Sequence, residues 1–227
     1  MSSFERHINN ILKRVSKDED FGIAVKYFVD TLESLKIDYI VMGSTAIQSY
    51  LDYFHRTPGD IDILLSEQAI ELLRLQCLSD ELLKFEFNEV ASKVHYKNGV
   101  FLHLVPTSMK VVDKIENVIF TKIEIYYPDR VNLNKLNLVN FQEEVTLKVP
   151  IIEYMFCLNL LVQLDSNNFS DNVLILSKYK LDEHYLQEFL SRVPQMHKVI
   201  NVRFKALVEK IQKYRPDLVS ALPLIDF

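Results

Sequence analysis

The stretch from Asp38 to Leu65 constrains the fold of this chain more than any other part of the sequence. It opens with an apolar run, Tyr39 to Met42, which predicts a buried strand that stops at the pair Gly43-Ser44. Apolar residues then recur at the three- to four-residue spacing of a helix face: Ala46, Ile47, Tyr50, Leu51 and Phe54. The segment therefore predicts a strand, a tight turn and a helix in direct succession.

A second strand is predicted after the turn-forming residues 55–59. From Asp60 onward an acid alternates with an apolar residue, and Asp62 is the second acid. Because successive side chains of a strand point to opposite faces, we expect Asp60 and Asp62 on the same face. Two adjacent carboxylates repel each other unless a cation lies between them, and such oxygen ligands suit a hard divalent ion such as Mg²⁺. We therefore interpret Asp60 and Asp62 as candidate metal ligands.

The placement of glycine supports this interpretation. The chain has only four glycines, whereas average usage of about 7% would give roughly sixteen. Two of them, Gly43 and Gly59, flank the predicted helix, where the backbone has to approach a ligand or adopt a positive φ. The alternative is a tight strand-to-helix turn beside a solvated acidic edge.

Gly43-Ser44, a helix and then Asp60-x-Asp62 resemble the motif of the nucleotidyltransferase superfamily. Arg56 and Thr57, ahead of the aspartates, are similar to the AbiEii-like and minimal nucleotidyltransferase branch. The resemblance implies a two-metal site that moves a nucleoside monophosphate from an NTP to a hydroxyl acceptor on a protein, an RNA or a small molecule. It also implies that Asp60 and Asp62 are catalytic and bind metal, and that the Gly43-Ser44 turn binds the triphosphate.

Arg56 is a candidate nucleotide-binding residue because it lies beside the motif. A phosphate contact is one interpretation of this arginine, and an ion pair with Asp60 is the other. The resemblance to this branch also implies a toxin–antitoxin setting, and hence a partner protein.

The third metal ligand that the resemblance implies, an acid on a later strand, is replaced here. The matching residue of the predicted strand Val100–Val105 is His103. A neutral imidazole would remove one negative charge from the site and prefers softer ions, so Mn²⁺ becomes the alternative to Mg²⁺. A partly buried, hydrogen-bonded histidine is the other interpretation of His103, and Glu124 is the alternative ligand if the strand register differs.

A second departure lies in the predicted helix Ile151–Leu164. Asn159 and Ser170 stand where the branch is implied to carry lysines, and Asp171 alone remains of that pattern. An amide cannot neutralise a phosphate as an ammonium does. Two functions therefore stay open: a metal-dependent nucleotidyltransferase, or a degenerate module of the same fold that binds nucleotide or a protein without transfer. The retained pair of repelling carboxylates favours the enzyme.

The rest of the chain predicts an α/β protein, with a mixed-sheet nucleotidyltransferase fold, N-terminal helices and a C-terminal helical region. We expect a nucleotidyltransferase-like domain at 1–150 and a helical domain at 151–227. Two N-terminal helices, Ser2–Ser16 and Phe21–Leu35, are expected on either side of a polar joint at Asp18–Asp20.

Residues 67–83 predict a long helix, with a break near Ser79-Asp80 as the alternative, and three short strands follow it. Asn98-Gly99 is a hairpin signal between the last two of these strands. A strand is favoured at Lys122–Tyr127, whereas 132–140 predicts a loop or a short helix. Glu144–Val149 predicts a last strand, and four helices are expected after Pro150.

Composition argues against several classes of protein. The net charge of −5 is unlike that of a protein that coats nucleic acid. The polar N-terminus and the short, interrupted apolar stretch 149–164 give no signal peptide or membrane span, so we expect no membrane association. Cys77 and Cys157 show no disulfide or metal spacing, which favours a reducing cytoplasm.

A basic run occupies residues 192–215. It predicts either a surface that binds RNA or the solvated side of a helix. In the second case the opposite side of the helix is core, formed by Val199, Val202, Leu207 and Ile211.

Overall fold

A computed structural model describes residues 3–51, 58–87, 92–113, 118–124, 129–137, 144–161 and 166–225, and side chains within 17–51, 58–87, 92–107, 129–136, 145–161 and 169–225. The chain divides into two compact units. The first comprises Met1–Thr107 and Val131–Val149, and the second comprises Ser108–Arg130 and Pro150–Phe227. The α/β class and the mixed sheet predicted from the sequence are confirmed. The boundary predicted near residue 150 stays a prediction.

The helices are α1 (Ser3–Ser34), α2 (Gly43–Tyr50), α3 (Glu67–Gln76), α4 (Ile152–Leu161), α5 (Ser166–Lys178), α6 (Glu183–Arg192) and α7 (His197–Tyr214). The strands are β1 (Tyr39–Met42), β2 (Ile61–Leu65), β3 (Leu83–Phe87), β4 (Ser92–Tyr96), β5 (Phe101–Pro106), β6 (Ser108–Asp113), β7 (Val118–Glu124), β8 (Val131–Asn137) and β9 (Glu144–Pro150). Short 3₁₀ turns at Pro194–Met196 and Pro216–Ala221 flank α7. Among the described residues, no helix combines the length and the apolar character that a membrane crossing requires.

A five-stranded sheet organises the first unit, in the order β1-β2-β5-β4-β3. Strands β2 and β5 are parallel, and the other neighbouring strands are antiparallel. One face of the sheet is core and carries Ile61, Ile63, Val94, Leu102 and Leu104, all buried. Helix α1 contributes to this core, where Phe28 packs against Tyr96 with ring centroids 6.2 Å apart. Since side chains alternate along a strand, the polar residues between these positions share the other face.

Two helix boundaries differ from the prediction. The polar joint at Asp18–Asp20 is wrong, because α1 runs without a break from Ser3 to Ser34. Neither proline nor glycine occurs at that joint to interrupt the helix. The uninterrupted helix at 67–83 is also wrong, and the alternative of a break near Ser79-Asp80 is closer: α3 ends at Gln76, and Asp80 Oδ1 accepts a hydrogen bond from Leu82 N in the turn that follows.

The hairpin prediction is confirmed at Asn98-Gly99. Gly99 has a φ of +92°, and Asn98 Oδ1 accepts a hydrogen bond from Val100 N at 3.1 Å. The loop or short helix predicted at 132–140 is wrong over 132–137, because 131–137 form β8, which pairs with β9, and 138–140 lie outside the described residues. Asparagine is a poor strand former, so the local sequence gives no strand signal, and β8 is stabilised by its pairing with β9.

The four helices predicted after Pro150 are confirmed as α4, α5, α6 and α7. Its core includes Phe156 and Phe189, and Phe189 meets Tyr154 edge to face at 5.0 Å between ring centroids. Asp182 caps α6 by accepting from His184 N at 2.9 Å. Val202, predicted to be core, is 43% exposed, so the apolar side of α7 is narrower than its sequence indicates. Strands β6 and β7 pair antiparallel in this unit.

Candidate functional site

Strand pairing brings Asp62 and His103 together. The two residues are direct partners across the parallel pair β2 and β5. His103 Nδ1 lies 2.9 Å from Asp62 Oδ1, and the two side chains are 35% and 30% exposed. The hydrogen bond that the ring donates to the Asp62 carboxylate raises the pKa of His103 above its ordinary value, whereas burial of the ring and the positive charge of Lys93 oppose the shift. His103 is thus a hydrogen-bonded histidine that also lies where a third ligand was expected.

Asp60 completes a compact group. It lies in a bend one residue before β2, so the strand that was expected to begin at Asp60 begins at Ile61. The fully buried Thr45 of α2 donates a hydrogen bond from Oγ1 to the backbone oxygen of Asp60 at 3.2 Å. One ligand atom from each of Asp60, Asp62 and His103 lies within 4.8 Å of the other two. All three side chains are half-exposed, so an ion from solvent could reach them.

The start of helix α2 lies against this acid pair. Gly43 has a φ of +63°, and a Cβ on it would overlap Asp62 Oδ2. Glycine therefore serves twice here, because it permits the left-handed backbone and leaves room for the carboxylate. The N-cap residue Met42 makes no side-chain hydrogen bond to the first turn. The N–H groups of a helix's first turn lack partners within the helix, and here that turn begins at the glycine that contacts Asp62.

The start of α2 and the neighbouring Asp60 and Asp62 together favour a ligand that carries both a negative and a positive charge. A helix N-terminus attracts anions, whereas Asp60 and Asp62 repel them. A divalent cation between the carboxylates and a phosphate would satisfy both. Two carboxylates and one imidazole fit such an ion, since oxygen ligands suit Mg²⁺ and an added imidazole favours a transition ion such as Mn²⁺.

Two predicted site residues cannot be placed in this group. Arg56 lies outside the described residues, so both its phosphate contact and its ion pair with Asp60 stay predictions. Glu124, the alternative ligand, ends β7 in the second unit, and its side chain is outside the described part.

Asn159, expected where a phosphate-binding lysine would stand, is buried inside the second unit. Its side chain is 4% exposed, and its Nδ2 donates to Oδ1 of the fully buried Asn172 at 3.2 Å. The neighbouring Asp171 is 2% exposed. The amide therefore joins α4 to α5 within the core of this unit, and a lysine at this position would place an ammonium there.

The arginines of the basic run bond within the second unit. Arg192 pairs with Asp129 and Glu188. Arg203 donates to the backbone oxygens of Leu160 and Leu161. These contacts favour the structural interpretation of the run over an RNA-binding surface.

Sequence reasoning did not single out Thr45, Lys93 or Phe101. Lys93 is the direct partner of His103 across β4 and β5, and its ammonium lies 4.5 Å from the centroid of the Phe101 ring. The alternation of side chains along β4 places Lys93 and His95 on one face. Only the order of the strands could show that this face also carries Asp62.

No protein-family model and no curated protein matches the sequence. Solved structures do match its fold. An antigenic nucleotidyltransferase-like protein from Paracoccidioides brasiliensis aligns over 90% of this chain and 92% of its own, with a TM-score of 0.55 and 18% identity. The chain has the nucleotidyltransferase fold. A lincosamide antibiotic adenylyltransferase, LnuA, solved with lincomycin bound, aligns over 68% of this chain and 96% of its own, with a TM-score of 0.47 and 17% identity.

Proposed function

We propose that this protein is a metal-dependent nucleotidyltransferase that moves a nucleoside monophosphate from an NTP to a hydroxyl acceptor. The observation that carries the proposal is the contact between Gly43 and Asp62. It juxtaposes a site for an anion and a site for a cation, and the NTP–metal complex has both charges. The nucleotidyltransferase fold supports the same assignment.

Each residue of the site has a role in this reaction. Backbone N–H groups at Gly43 and Ser44 bind the triphosphate, to which Arg56 adds a phosphate contact. Asp60, Asp62 and His103 hold the divalent ion, Mg²⁺ or Mn²⁺, which would supply charge neutralisation at the reacting phosphate. Thr45 fixes the backbone that carries Asp60.

The transfer itself exchanges one phosphorus–oxygen bond for another. The acceptor oxygen forms a bond to the α-phosphorus, and the bond from that phosphorus to the bridging oxygen breaks. Pyrophosphate leaves with the electron pair of the broken bond. The hydroxyl proton passes to a carboxylate of Asp60 or Asp62, both of which are half-exposed at the site.

The acceptor class remains a protein, an RNA or a small molecule in this proposal. The Arg56-Thr57 pair supports the AbiEii-like branch, and with it a toxin–antitoxin setting that includes a partner protein.

A module that binds nucleotide or a protein without transfer is the second candidate. The hydrogen bond between His103 and Asp62 favours it, because the imidazole occupies one carboxylate oxygen and lacks the charge of a third acid. Such a site would hold an ion more weakly than three carboxylates would.

Incubation with α-³²P-labelled NTPs and cell extract separates the two candidates. The enzyme predicts label transfer that is stronger in Mn²⁺ than in Mg²⁺, is abolished by Asp62→Asn and gains Mg²⁺ activity in His103→Asp. The module would be supported if neither the unmodified protein nor His103→Asp transfers label, while calorimetry shows that both still bind NTP. Absence of NTP binding in either metal would contradict the enzyme and the nucleotide-binding form of the module, and would leave only a module that binds a protein.

A further inference from the structure

A row of polar side chains crosses the open face of the five-stranded sheet beyond the metal-binding group. The registers align Met42, Asp62, His103, Lys93 and Glu86 on five successive strands. All five lie on the face opposite the buried core. Lys93 is therefore the next residue of this row after His103.

The Lys93 ammonium has a defined surrounding. It lies 4.5 Å from the centroid of the Phe101 ring, which is 5.3 Å from the His95 ring. His95 Nε2 is 3.1 Å from Glu86 Oε2 without the alignment of a hydrogen bond. Among the described residues, Lys93 has no carboxylate partner within ion-pair distance. It is half-exposed, so a ligand could reach its three N–H donors.

The order of the strands decides which reactant meets Lys93. Helix α2 begins at Gly43, directly after Met42, so the triphosphate of the proposed function lies at the β1 end of the row. In phosphoryl transfer the attacking and leaving oxygens are roughly in line through the phosphorus. If pyrophosphate leaves on the β1 side of Asp62, the acceptor hydroxyl approaches from the β4 side. That side carries Lys93, Phe101 and His95.

We propose that Lys93 and Phe101 form the acceptor subsite, and that the acceptor is a hydroxyl compound with an anionic group, a phosphate or a carboxylate. The anion binds the Lys93 ammonium, and a planar or apolar part of the acceptor packs against the Phe101 ring. This inference rests on the proposed function, because it takes the position of the triphosphate from it. A cationic acceptor is disfavoured, since Lys93 would repel it beside the reacting phosphate.

Titration calorimetry with three matched probes tests the subsite: uridine 5′-monophosphate, uridine 5′-carboxylate and uncharged uridine. Each is titrated into the full chain with and without saturating α,β-methylene-ATP and Mn²⁺. We expect both anionic probes to bind in the presence of the analogue, and uridine to bind about tenfold more weakly, the loss expected for one charged hydrogen bond. The anionic probe that binds more tightly shows whether the subsite prefers a phosphate or a carboxylate.

Variants assign this binding to the residues. Lys93→Met should reduce the affinity for the anionic probes to that for uridine, and Lys93→Arg should retain it. Phe101→Leu should lower the affinity for all three probes by a similar factor. Lys97→Met is the matched control, since its ammonium lies 5.9 Å from the Tyr96 ring, in the hairpin beyond this face, and it should leave the three affinities unchanged.

Two results would overturn the subsite. One is equal binding of the anionic probes by the Lys93→Met and unmodified proteins, and the other is their complete displacement by α,β-methylene-ATP. If the analogue itself fails to bind, the proposed function fails. In that case, loss of probe binding to the free protein in Lys93→Met, but not in Lys97→Met, would still support an anion-binding site at Lys93 and would overturn its role as an acceptor subsite.

Discussion

The carboxylates of the two units have different kinds of neighbours. In the second unit, Glu188 accepts from Arg130 Nε at 2.8 Å and also bonds Arg192, which in turn pairs with Asp129 at 3.0 Å. These arginines lower the pKa of Glu188 below its ordinary value, against a smaller effect of burial. In the first unit, Asp60 and Asp62 share their corner with one imidazole and a helix N-terminus.

The difference separates stabilising clusters from a binding site. In the second unit, Arg130 and Arg192 already pair with the carboxylates of Asp129 and Glu188, and a ligand would add little to this cluster. The first unit places the carboxylates of Asp60 and Asp62 beside the start of a helix, which attracts anions. A bound cation would therefore relieve the repulsion between the two carboxylates. Four substitutions test this contrast, from the largest expected effect to the smallest.

Asn159→Lys should cause the largest loss. It would replace a buried amide of the second unit by an ammonium, and an uncompensated buried charge costs about 3–5 kcal/mol of unfolding free energy. Urea unfolding measures this, with the exposed Gln212→Lys of α7 as the control that should change little. Asn159→Leu should cost less, because it leaves one amide without its partner instead of burying a charge. An unchanged stability of Asn159→Lys would show that this position reaches solvent or an anion.

Asp62→Asn should remove the response to divalent ions. Without an ion, its melting temperature should equal or exceed that of the unmodified protein, since repulsion with Asp60 is relieved. An ion that binds only the native state stabilises it by about 2.7 kcal/mol at a hundredfold excess over its dissociation constant, and the variant should lose this increment. Thermal melts with and without Mn²⁺ or Mg²⁺ measure it, and the exposed Glu19→Gln should retain the full increment. A normal response in Asp62→Asn would place the ion elsewhere.

Gly43→Ala should destabilise the chain and abolish NTP binding. A positive φ costs an alanine about 1–2 kcal/mol, and the new Cβ would also overlap Asp62 Oδ2. Gly99→Ala is the matched control, because Gly99 also has a positive φ but its new Cβ would have no atom of the described residues within 4 Å. Both variants should lose stability because of the positive φ. When Asp62→Ala is added, only Gly43→Ala should regain part of its lost stability, because the overlapping carboxylate is then gone. Equal losses, unchanged by Asp62→Ala, would contradict the contact between the helix start and the carboxylate.

Acidification should weaken the second unit through Glu188, with the smallest of the four effects. Its pKa is lowered in the folded state, so its stabilising contribution is present above the ordinary glutamate pKa and is lost as the pH falls through the lowered one. Glu188→Gln should therefore be less stable than the unmodified protein at neutral pH, and the gap should close at acid pH. Urea unfolding along a pH series checks this. A gap that stays constant with pH would show that the ion pairs contribute nothing to stability.

Local sequence predicted the elements that lie next to each other along the chain. The apolar run before Gly43, the spacing of the residues after it and the alternation from Asp60 onward predicted β1, α2 and β2. Asn98-Gly99 predicted the hairpin between β4 and β5. In each case the signal is a backbone requirement or a periodicity within a few residues, which the chain expresses wherever the segment packs.

Tertiary structure decided how the side chains meet. The resemblance to the nucleotidyltransferase motif had indicated His103 as a ligand beside Asp60 and Asp62, but residues 41 apart in sequence carry no local sign of the pairing between β2 and β5 that brings His103 to Asp62. The same holds for Lys93, which the order of the strands places beside His103. Asn159 has a polar side chain that any local rule assigns to solvent, yet Asn172 provides its partner inside the core. Strand neighbours and buried polar partners are non-local, so they appear only when the chain is packed.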